Sequence, residues 1–301
     1  MNTDLRQSLG WAKYLKSQGW KIEEIRGQRS EVRVYIRKIP LLGSVIKIQR
    51  PAEIPSAEEI DRIAKKNRAF LVKLEPPYQS PGYPVTRLPG FEPDPTPNLP
   101  TKTIFVDLTK SEDELWANLS QDVRQSVRKA RDMGLKVNIY RTTDEDFDQA
   151  LINFHDLLKE TGKRRRFWTP SLPQLREKAK AFGKDTTLFL VQSGSKNPVA
   201  GALTLLWDGT HSASSAEGQR LFAPYLLLWE TILYLKKKRG AKYHDLAGIH
   251  DPRYPKLTKR WGGFTLFKRK FGGREVEYPR PLVRYFGWPT KLIFNLGKLL
   301  T

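Results

Sequence analysis

The chain has 301 residues, 39% of them hydrophobic, so it is long enough for two domains of ordinary size, each with a buried core. Its 53 Lys and Arg outnumber its 32 Asp and Glu, and the net charge of +21 attracts nucleic-acid phosphate, pyrophosphate or an acidic lipid surface, whereas solubility alone needs only about 2–8 charges. The absence of cysteine excludes disulfides, thiolate metal sites and cysteine nucleophiles.

The sequence contains neither a signal-peptide pattern at its start nor an apolar run of about 18 residues. We therefore expect the protein to be cytoplasmic. We also expect it to be a monomer. The last segment, Pro281–Thr301, mixes aromatic and basic side chains. It is either an amphipathic helix on a membrane or a segment that packs back onto the first domain, so peripheral contact with the cytoplasmic face of the inner membrane remains open.

The first quarter of the chain shows α/β patterns. Ser56 and Glu59 have the spacing of a capping box and predict the start of a helix. Alternating and short apolar runs predict strands. The predicted order is strand, strand, helix and strand, over Glu31–Arg37, Val45–Gln49, Ala57–Asn67 and Phe70–Leu74.

A proline-rich stretch follows. Nine of the 21 prolines lie between Pro76 and Pro100. Because proline has no N–H and a restricted φ, this stretch can form neither a helix nor a central strand. It predicts an extended connection between two α/β units.

Helices alternate with strands again after the prolines. Ser111 and Glu114 predict a capping box that opens a long helix ending near Gly134, and Thr143 predicts the start of another that runs to about Thr161. A helix is also predicted to end at Gly240. The predicted strands are Thr103–Leu108, Val137–Tyr140, Leu188–Gln192, Val199–Leu206 and Tyr243–Leu246, and the last helix is Tyr225–Arg239.

Four segments, in order along nearly the whole chain, resemble the Fem-type (FemABX) family of non-ribosomal peptidyltransferases. The resemblance lies in the strand and basic helix of the second segment, in the P..LLWE pattern of the third and in the basic-aromatic fourth. The segments are QSLGWAKYL at Gln7–Leu15, TIFVDLTKSEDELWANLSQDVRQSVRKARDMGLKV at Thr103–Val137, APYLLLWETILYLKKKRGAKYHDLAGI at Ala223–Ile249 and LFKRKFGG at Leu266–Gly273.

The resemblance implies an α/β fold of two GNAT-like acyltransferase domains. The first would cover residues 1–101 and be completed by residues 277–301, on the precursor side; the second would cover 102–276, on the tRNA side. About 18 residues separate Trp168 from Thr187, so the coiled-coil arm of some members is expected to be absent.

The implied reaction transfers Gly, Ala or Ser from aminoacyl-tRNA to the stem-peptide side-chain amine of a lipid-linked or UDP-linked peptidoglycan precursor, without cofactor or metal. The resemblance implies that Lys13 and Arg166, with Arg165 as the alternative, bind the phosphates of the precursor, chemistry that suits an ammonium and a guanidinium. Glu75 would either receive the acceptor amine or neutralise Lys73.

The tRNA side is expected between Lys236 and Arg274, where 13 cations face two acids and aromatic residues are interleaved, as suits an unpaired 3′ end. In the family the Phe267–Lys268 pair, on a strand, meets the acceptor end, and the Lys268 ammonium could stabilise the oxyanion. The expected tRNA-binding residues are Phe267, Lys268, Arg269, Lys270 and Arg260. At least half of the aromatic residues are expected in the core.

Asp245 matches the family's aspartate and is expected to act with Lys268, either by fixing the strand end or by taking a proton; we favour the structural role. The sequence departs from the family at Ala247, where glycine is common. It also departs at Ser212–Ser215, where a tyrosine is common. The second departure puts any acceptor contact by that tyrosine in doubt.

Three alternatives remain. An acetyl-CoA-dependent enzyme of the GNAT class is disfavoured because Gln219–Pro224 lacks the glycines of the pyrophosphate turn and Pro224 removes a backbone donor. A non-catalytic RNA- or membrane-binding protein would account for the charge and the tail. The third keeps the tRNA donor and changes the acceptor to a phospholipid or another peptide.

Overall fold

The residues that the computed structural model describes, 4–27, 30–78, 88–194, 197–206 and 208–286, form two mixed sheets. The chain divides into two units: unit 1, within Met1–Thr101 and Glu277–Thr301, and unit 2, Lys102–Val276. The strands are β1 Lys21–Arg26, β2 Glu31–Ile39, β3 Gly43–Gln49, β4 Ala69–Glu75, β5 Glu92–Pro93, β6 Lys102–Asp107, β7 Lys136–Arg141, β8 Thr186–Gln192, β9 Ala200–Leu205, β10 Asp208–Ser214, β11 Tyr243–Gly248, β12 Arg274–Glu277 and β13 Leu282–Tyr285.

Helices connect these strands and cover the sheets. They are α1 Leu9–Ser17, α2 Ala57–Lys66, α3 Glu112–Ala117, α4 Gln121–Asp132, α5 Phe147–Arg165, α6 Leu172–Phe182, α7 Ala216–Arg220, α8 Ala223–Arg239, α9 Pro255–Thr258 and α10 Gly262–Arg269. Within the described residues, no helix is both long enough and apolar enough to cross a membrane.

Unit 1 has the strand order β1-β2-β3-β4-β13-β5. Strands β1 to β3 are antiparallel neighbours, and α2 then crosses over to place β4 parallel to β3. The predicted capping box of Ser56 and Glu59 is present at the start of α2. This helix buries Ile60 and Ile63 against one face of the sheet, which supplies Val34, Ile36, Ile46, Ile48, Val72 and Leu74.

Unit 2 repeats this plan on a larger scale, in the order β12-β6-β11-β10-β9-β8-β7. Strands β7 to β10 are antiparallel neighbours, and α8 crosses over to place β11 parallel to β10. Successive residues of β8 point to opposite faces: Phe189 and Val191 pack with α4 and α8, whereas Leu188 and Leu190 pack with α5 and α6. Helices therefore cover both faces, and β8 is buried along almost its whole length.

Three local predictions are wrong. The long helix predicted from Ser111 is two helices, α3 and α4, because the chain turns at Asn118–Ser120, where the Ser120 N–H donates to the Lys270 carbonyl at 2.9 Å. Helix α5 starts after Asp146 rather than Thr143, because the Asp144 carboxylate accepts from Arg141 N and closes a turn there. Residues 262–269 form α10, so Phe267 and Lys268 lie on a helix and not on a strand.

The last segment begins as a strand. Leu282–Tyr285 lies between β4 and β5, and Phe286 packs against the core of unit 1. A helix starting at Pro281 is therefore wrong for these residues, and they pack onto the first unit instead. Residues 287–301, which include the rest of the predicted amphipathic segment, lie outside the described residues, as do residues 79–87 of the proline-rich stretch.

Candidate functional site

In unit 2 the described residues of the parallel pair β10 and β11 are in register at Asp208 and Asp245. Beyond Asp245, β11 is irregular up to Gly248, and Ala247 has a φ of 61°. This left-handed conformation is costly for a residue with a Cβ. The sequence places alanine where the Fem-type pattern often has glycine, and the structure shows why glycine suits the position.

Asp245 holds this irregular strand end together. Its carboxylate is 5% exposed and accepts hydrogen bonds from the Thr103 hydroxyl and from the Ala247 N–H, the latter at 2.8 Å. The Thr103 hydroxyl oxygen also lies 2.7 Å from the Ala247 carbonyl. These contacts favour the structural role of Asp245.

Lys268 reaches the same strand end from α10. Its Nζ donates to the Gly248 carbonyl at 2.8 Å and lies 4.8 Å from the centroid of the Phe264 ring. Burial lowers the pKa of the Lys268 ammonium to about 8, and the negative charge of Asp245 limits that decrease. Helix α10 is tied to the loop after β11 by a hydrogen bond from His250 N to the Thr265 hydroxyl at 2.8 Å. A lysine with a perturbed pKa, supported by fixed neighbours, is a candidate catalytic group.

The neighbours of Lys268 on α10 have other partners. Phe267 is half-buried and packs against Tyr225 and Phe271, each with a centroid distance of 5.1 Å. Arg269 pairs with Glu275 at 2.5 Å, and Lys270 pairs with Asp122. The contacts of Phe267 are those of a core residue, while Arg269 and Lys270 remain exposed in their ion pairs. Their contact with tRNA stays a prediction.

A second group of cations lies at the end of α5. Arg166 ends this helix in a left-handed conformation with a φ of 56°, and its carbonyl is 3.5 Å from Nη1 of Arg260. Arg164 donates to the Ser214 carbonyl at the end of β10, and Arg165 donates to the Gln219 side chain at 3.3 Å. Arg166, predicted on the precursor side, and Arg260, predicted on the tRNA side, are therefore neighbours on one surface of unit 2.

Two exposed aromatic residues follow directly after this arginine run. Trp168 is 76% exposed and Phe167 is 46% exposed. Large exposed aromatic side chains beside guanidinium groups can stack on nucleobases. The sequence prediction omitted both residues from the site, although their position after four consecutive cations was the available signal.

Lys13 lies in unit 1, exposed on α1, where Ser8 caps the helix by accepting from the Trp11 N–H at 3.1 Å. Facing strands of the same unit carry Lys47 and Lys73, which are partners in the β3–β4 register. Burial lowers the pKa of Lys47, Glu75 opposes the decrease, and Lys73 adds to it. Sequence patterns alone do not show that Lys47 and Lys73 lie side by side in unit 1.

Glu75 ends β4 and is 3% exposed. Its Oε1 accepts from the N–H groups of Asn98 and Leu99, both at 2.7 Å, and its Oε2 accepts from Gln49 at 2.9 Å. Lys73 pairs with Asp94 at 3.0 Å, so the alternative in which Glu75 neutralises Lys73 is wrong. A cavity of about 10 Å³ beside Glu75 has room for at most a single water. These contacts favour a structural role, and binding of an acceptor amine stays a prediction.

The model of the FemAB family matches residues 95–197. Over 97% of the chain, the fold is similar to a crystal structure of FemX, with 18% identity, 94% of that chain covered and a TM-score of 0.76. It is also similar to the C-terminal domain of a putative lysylphosphatidylglycerol synthetase from Agrobacterium fabrum, with 14% identity, 99% of this chain and 94% of that one covered, and a TM-score of 0.62.

A further similar structure is L-PGS from Bacillus licheniformis, with 11% identity, 97% of this chain and 95% of that one covered, and a TM-score of 0.57. No curated protein sequence matches this chain. The match over residues 95–197 and the mixed α/β fold with two sheets support a transferase. They confirm the predicted resemblance of this chain to the Fem-type family.

Proposed function

We propose that this protein transfers Gly, Ala or Ser from aminoacyl-tRNA to the stem-peptide side-chain amine of a peptidoglycan precursor, either lipid-linked or UDP-linked. The observation that carries the proposal is Lys268, whose ammonium has a lowered pKa and lies at the irregular end of β11. The protein would act in the cytoplasm as a monomer. Unit 1 would serve the precursor and unit 2 the tRNA.

The chemistry needs no enzyme nucleophile because the aminoacyl ester is already activated. The acceptor amine attacks the ester carbonyl, the bond to the ribose oxygen breaks, and the proton lost by the amine goes to the leaving hydroxyl. Lys268 is the group we assign to the developing oxyanion, since an ammonium held at 2.8 Å from a neighbouring carbonyl is already oriented. Asp245 keeps the strand end in position.

The aminoacylated end of the tRNA would meet the surface formed by Arg166, Arg260 and Trp168. Its unpaired bases can stack on the exposed Trp168 ring, and its phosphates can pair with the two guanidinium groups. Since the precursor also carries phosphates, Arg166 could serve either substrate. Lys13 on α1 is the phosphate contact that we assign to the precursor alone.

The test incubates the protein with charged, labelled tRNA and either UDP-linked or lipid-linked precursor, and follows the label. Transfer to one acceptor is the expected result; no transfer to either would refute the proposal. Lys13→Glu should impair precursor use and leave tRNA binding intact, whereas Lys268→Glu should abolish transfer with precursor binding intact. Lys16→Glu, another exposed lysine of α1, is the matched control for Lys13.

Charge reversal at Arg166 decides which substrate that residue serves. Arg166→Glu should weaken binding of the precursor if the family role applies, and of tRNA if the contact with Arg260 defines the surface. Trp168→Ala should weaken tRNA binding about tenfold, and Trp168→Phe should retain most of it, because any aromatic ring can stack. If Arg166→Glu and Trp168→Ala bind tRNA as tightly as the unaltered protein, this surface is not part of the tRNA site.

A second candidate keeps the donor and changes the acceptor to a phospholipid. The observation that favours it is the similarity of the fold to the C-terminal domain of a putative lysylphosphatidylglycerol synthetase. The same labelled tRNA is then incubated with vesicles that contain phosphatidylglycerol in place of the precursor. Label extracted with the lipid would support this candidate, and label found only on the peptidoglycan precursor would refute it.

A further inference from the structure

The turn between β2 and β3, which we name the hairpin tip and define as Lys38–Gly43, exposes two leucines. Leu41 is 106% exposed and Leu42 is 64% exposed. The Leu42 N–H donates to the Ile39 carbonyl at 3.2 Å, which closes a tight turn with Pro40 and Leu41 at its centre. Both leucine side chains therefore project from the end of a two-stranded ribbon.

Leucine is an unfavourable residue at this position in water. Leu41 has a φ of 65°, the left-handed conformation that the third residue of a type II turn requires and that favours glycine or asparagine. Among the described residues, Leu41 is fully exposed and Leu42 is buried over only about a third of its surface. The tip thus combines backbone strain with two leucines that the described part of unit 1 leaves largely exposed.

Basic side chains surround the base of the tip. Lys38 is exposed at the end of β2, and Arg68 is exposed beside β3, where its carbonyl accepts from the Ser44 N–H at 3.1 Å. In register, Lys38 faces the uncharged Ser44, whereas the neighbouring Arg37 donates to the Gln18 carbonyl and lies over the Trp20 ring. Two apolar side chains at an apex, with cations behind them, are complementary to an anionic bilayer surface.

We propose that the hairpin tip inserts Leu41 and Leu42 into the interfacial layer of an anionic membrane while Lys38 and Arg68 pair with lipid headgroups. Two leucines at an apex offer too small an area for a stable protein interface, which needs about 800 Å² per partner. The proposal goes beyond the transfer reaction and does not depend on it. It would bring unit 1 to the surface where a lipid-linked or lipid acceptor resides.

The first experiment measures binding of the full chain to vesicles of phosphatidylcholine with and without phosphatidylglycerol, by co-sedimentation. We expect binding that requires the anionic lipid and weakens with salt. Changing both Leu41→Ser and Leu42→Ser should weaken binding at least about tenfold, since each buried leucine contributes strongly to partitioning. Lys38→Glu with Arg68→Glu should also weaken binding. Met133→Ser, at a residue of unit 2 that is 51% exposed, is the matched control and should bind normally.

Leu41→Gly separates an effect on folding from an effect on binding. Glycine relieves the positive φ, so this variant should be at least as stable as the unaltered chain and should still bind vesicles more weakly. Unchanged vesicle binding by the serine and glycine variants, or no binding by the unaltered chain, would overturn the proposal. If the same variants change the oligomeric state in sedimentation and leave vesicle binding unaffected, the tip is a contact between copies and the proposal is wrong.

The second experiment uses the lack of cysteine in the chain. Leu42→Cys introduces a single thiol for an environment-sensitive fluorophore, and Met133→Cys gives the control. Insertion predicts a blue shift and protection from an aqueous quencher at position 42 when anionic vesicles are added, and neither change at position 133. Equal spectra at position 42 with and without vesicles would contradict insertion.

Discussion

The two units share one plan and differ at the point where their strands turn parallel. In unit 1, β3 and β4 are paired from Ser44–Ala69 to Gln49–Glu75, with one register shift after Ser44. In unit 2, the described residues of β10 and β11 give one registered pair, and β11 is irregular beyond it. The same topology thus gives a parallel pair that continues to the strand end in unit 1. In unit 2, the end of β11 departs from regular pairing.

The polar groups at the two strand ends differ in the same way. In unit 1, the Glu75 carboxylate is buried and accepts three hydrogen bonds from the chain. In unit 2, Asp245 holds the strand end, and Lys268 adds a buried ammonium beside it. A strand end whose polar groups are all hydrogen-bonded within the chain stabilises the fold. An irregular strand end with a nearby ammonium can instead offer backbone groups and a positive charge to a substrate. This difference is our reason for proposing that the chemistry takes place in unit 2.

The largest effect is expected at Lys268. Lys268→Met removes the ammonium and keeps a chain of similar length, so transfer should fall about 10²–10³-fold, as for other lost oxyanion donors. Thermal stability at neutral pH should be kept or raised, because a buried charge disappears. Single-turnover transfer and calorimetry measure the two quantities. Lys180→Met, at an exposed lysine of α6 in the same unit, should change transfer little; an equal loss there would contradict a special role for Lys268.

The pH dependence tests the same residue. With a pKa of about 8, Lys268 loses its charge above about pH 8, so the rate contributed by its ammonium should fall there. Arginine stays charged throughout, so the ratio of unaltered to Lys268→Arg rates should decline above about pH 8. A ratio that rises above pH 8 would instead assign Lys268 as a base. Using the ratio cancels the titration of the acceptor amine.

Stability should respond in the opposite direction. Because the pKa of Lys268 is lowered from 10.5 to about 8, the folded state binds fewer protons than the unfolded state between these values. The cost of the buried charge is therefore full below about pH 8 and disappears as the pH approaches 10.5. The stability difference between Lys268→Met and the unaltered protein should shrink across that window.

A substitution at Glu75 tests how much the hydrogen bonds at the end of β4 stabilise unit 1. In Glu75→Gln, the charge is lost and one amide group replaces an oxygen that now accepts hydrogen bonds, so unfolding free energy should fall by about 2–3 kcal/mol. Chemical denaturation measures this change. Glu58→Gln, at an exposed position of α2, should cost far less. If Glu75→Gln retains full stability and loses transfer, the acceptor-amine role replaces the structural one.

The smallest effect is expected at Ala247. Glycine accommodates a φ of 61° without a Cβ penalty, so Ala247→Gly should stabilise the chain by up to about 1 kcal/mol. The same change at Ala202, inside β9, should destabilise the chain by about 0.5–1 kcal/mol, because glycine there loses more conformational entropy on folding than alanine does. Opposite signs in thermal unfolding would confirm the strain. Equal losses would show that the irregular strand end is not strained.

Signals that act over a few residues allowed prediction of much of the fold. The capping boxes at Ser56 and Ser111 and the helix end at Gly240 are present as predicted. The break at Asn118–Ser120 was not predictable, because its partner, the Lys270 carbonyl, is distant in sequence. Strand β1 has a weak pattern, since its residues are mostly half-exposed or exposed.

The candidate site could also be predicted only in part from the sequence. Residue types and the resemblance selected Lys268 and Asp245, but the contact of Lys268 with the Gly248 carbonyl joins residues 20 apart and needs the fold. The prediction of a strand at Phe267–Lys268 came from the resemblance, and the local sequence GGFTLFKR forms a helix because Phe267 packs against Tyr225 and Phe271. Tertiary packing outweighs the two glycines at the start of this helix.

Strand β13 has a consequence for biosynthesis. It lies between β4 and β5, yet the ribosome makes it nearly 200 residues after β5, when every strand of the other sheet has already been made. Until Leu282–Tyr285 emerges, the apolar edge of β4 has no partner from that strand. We expect nascent chains halted before this point to need chaperones and to aggregate when released, while their middle portion has already folded.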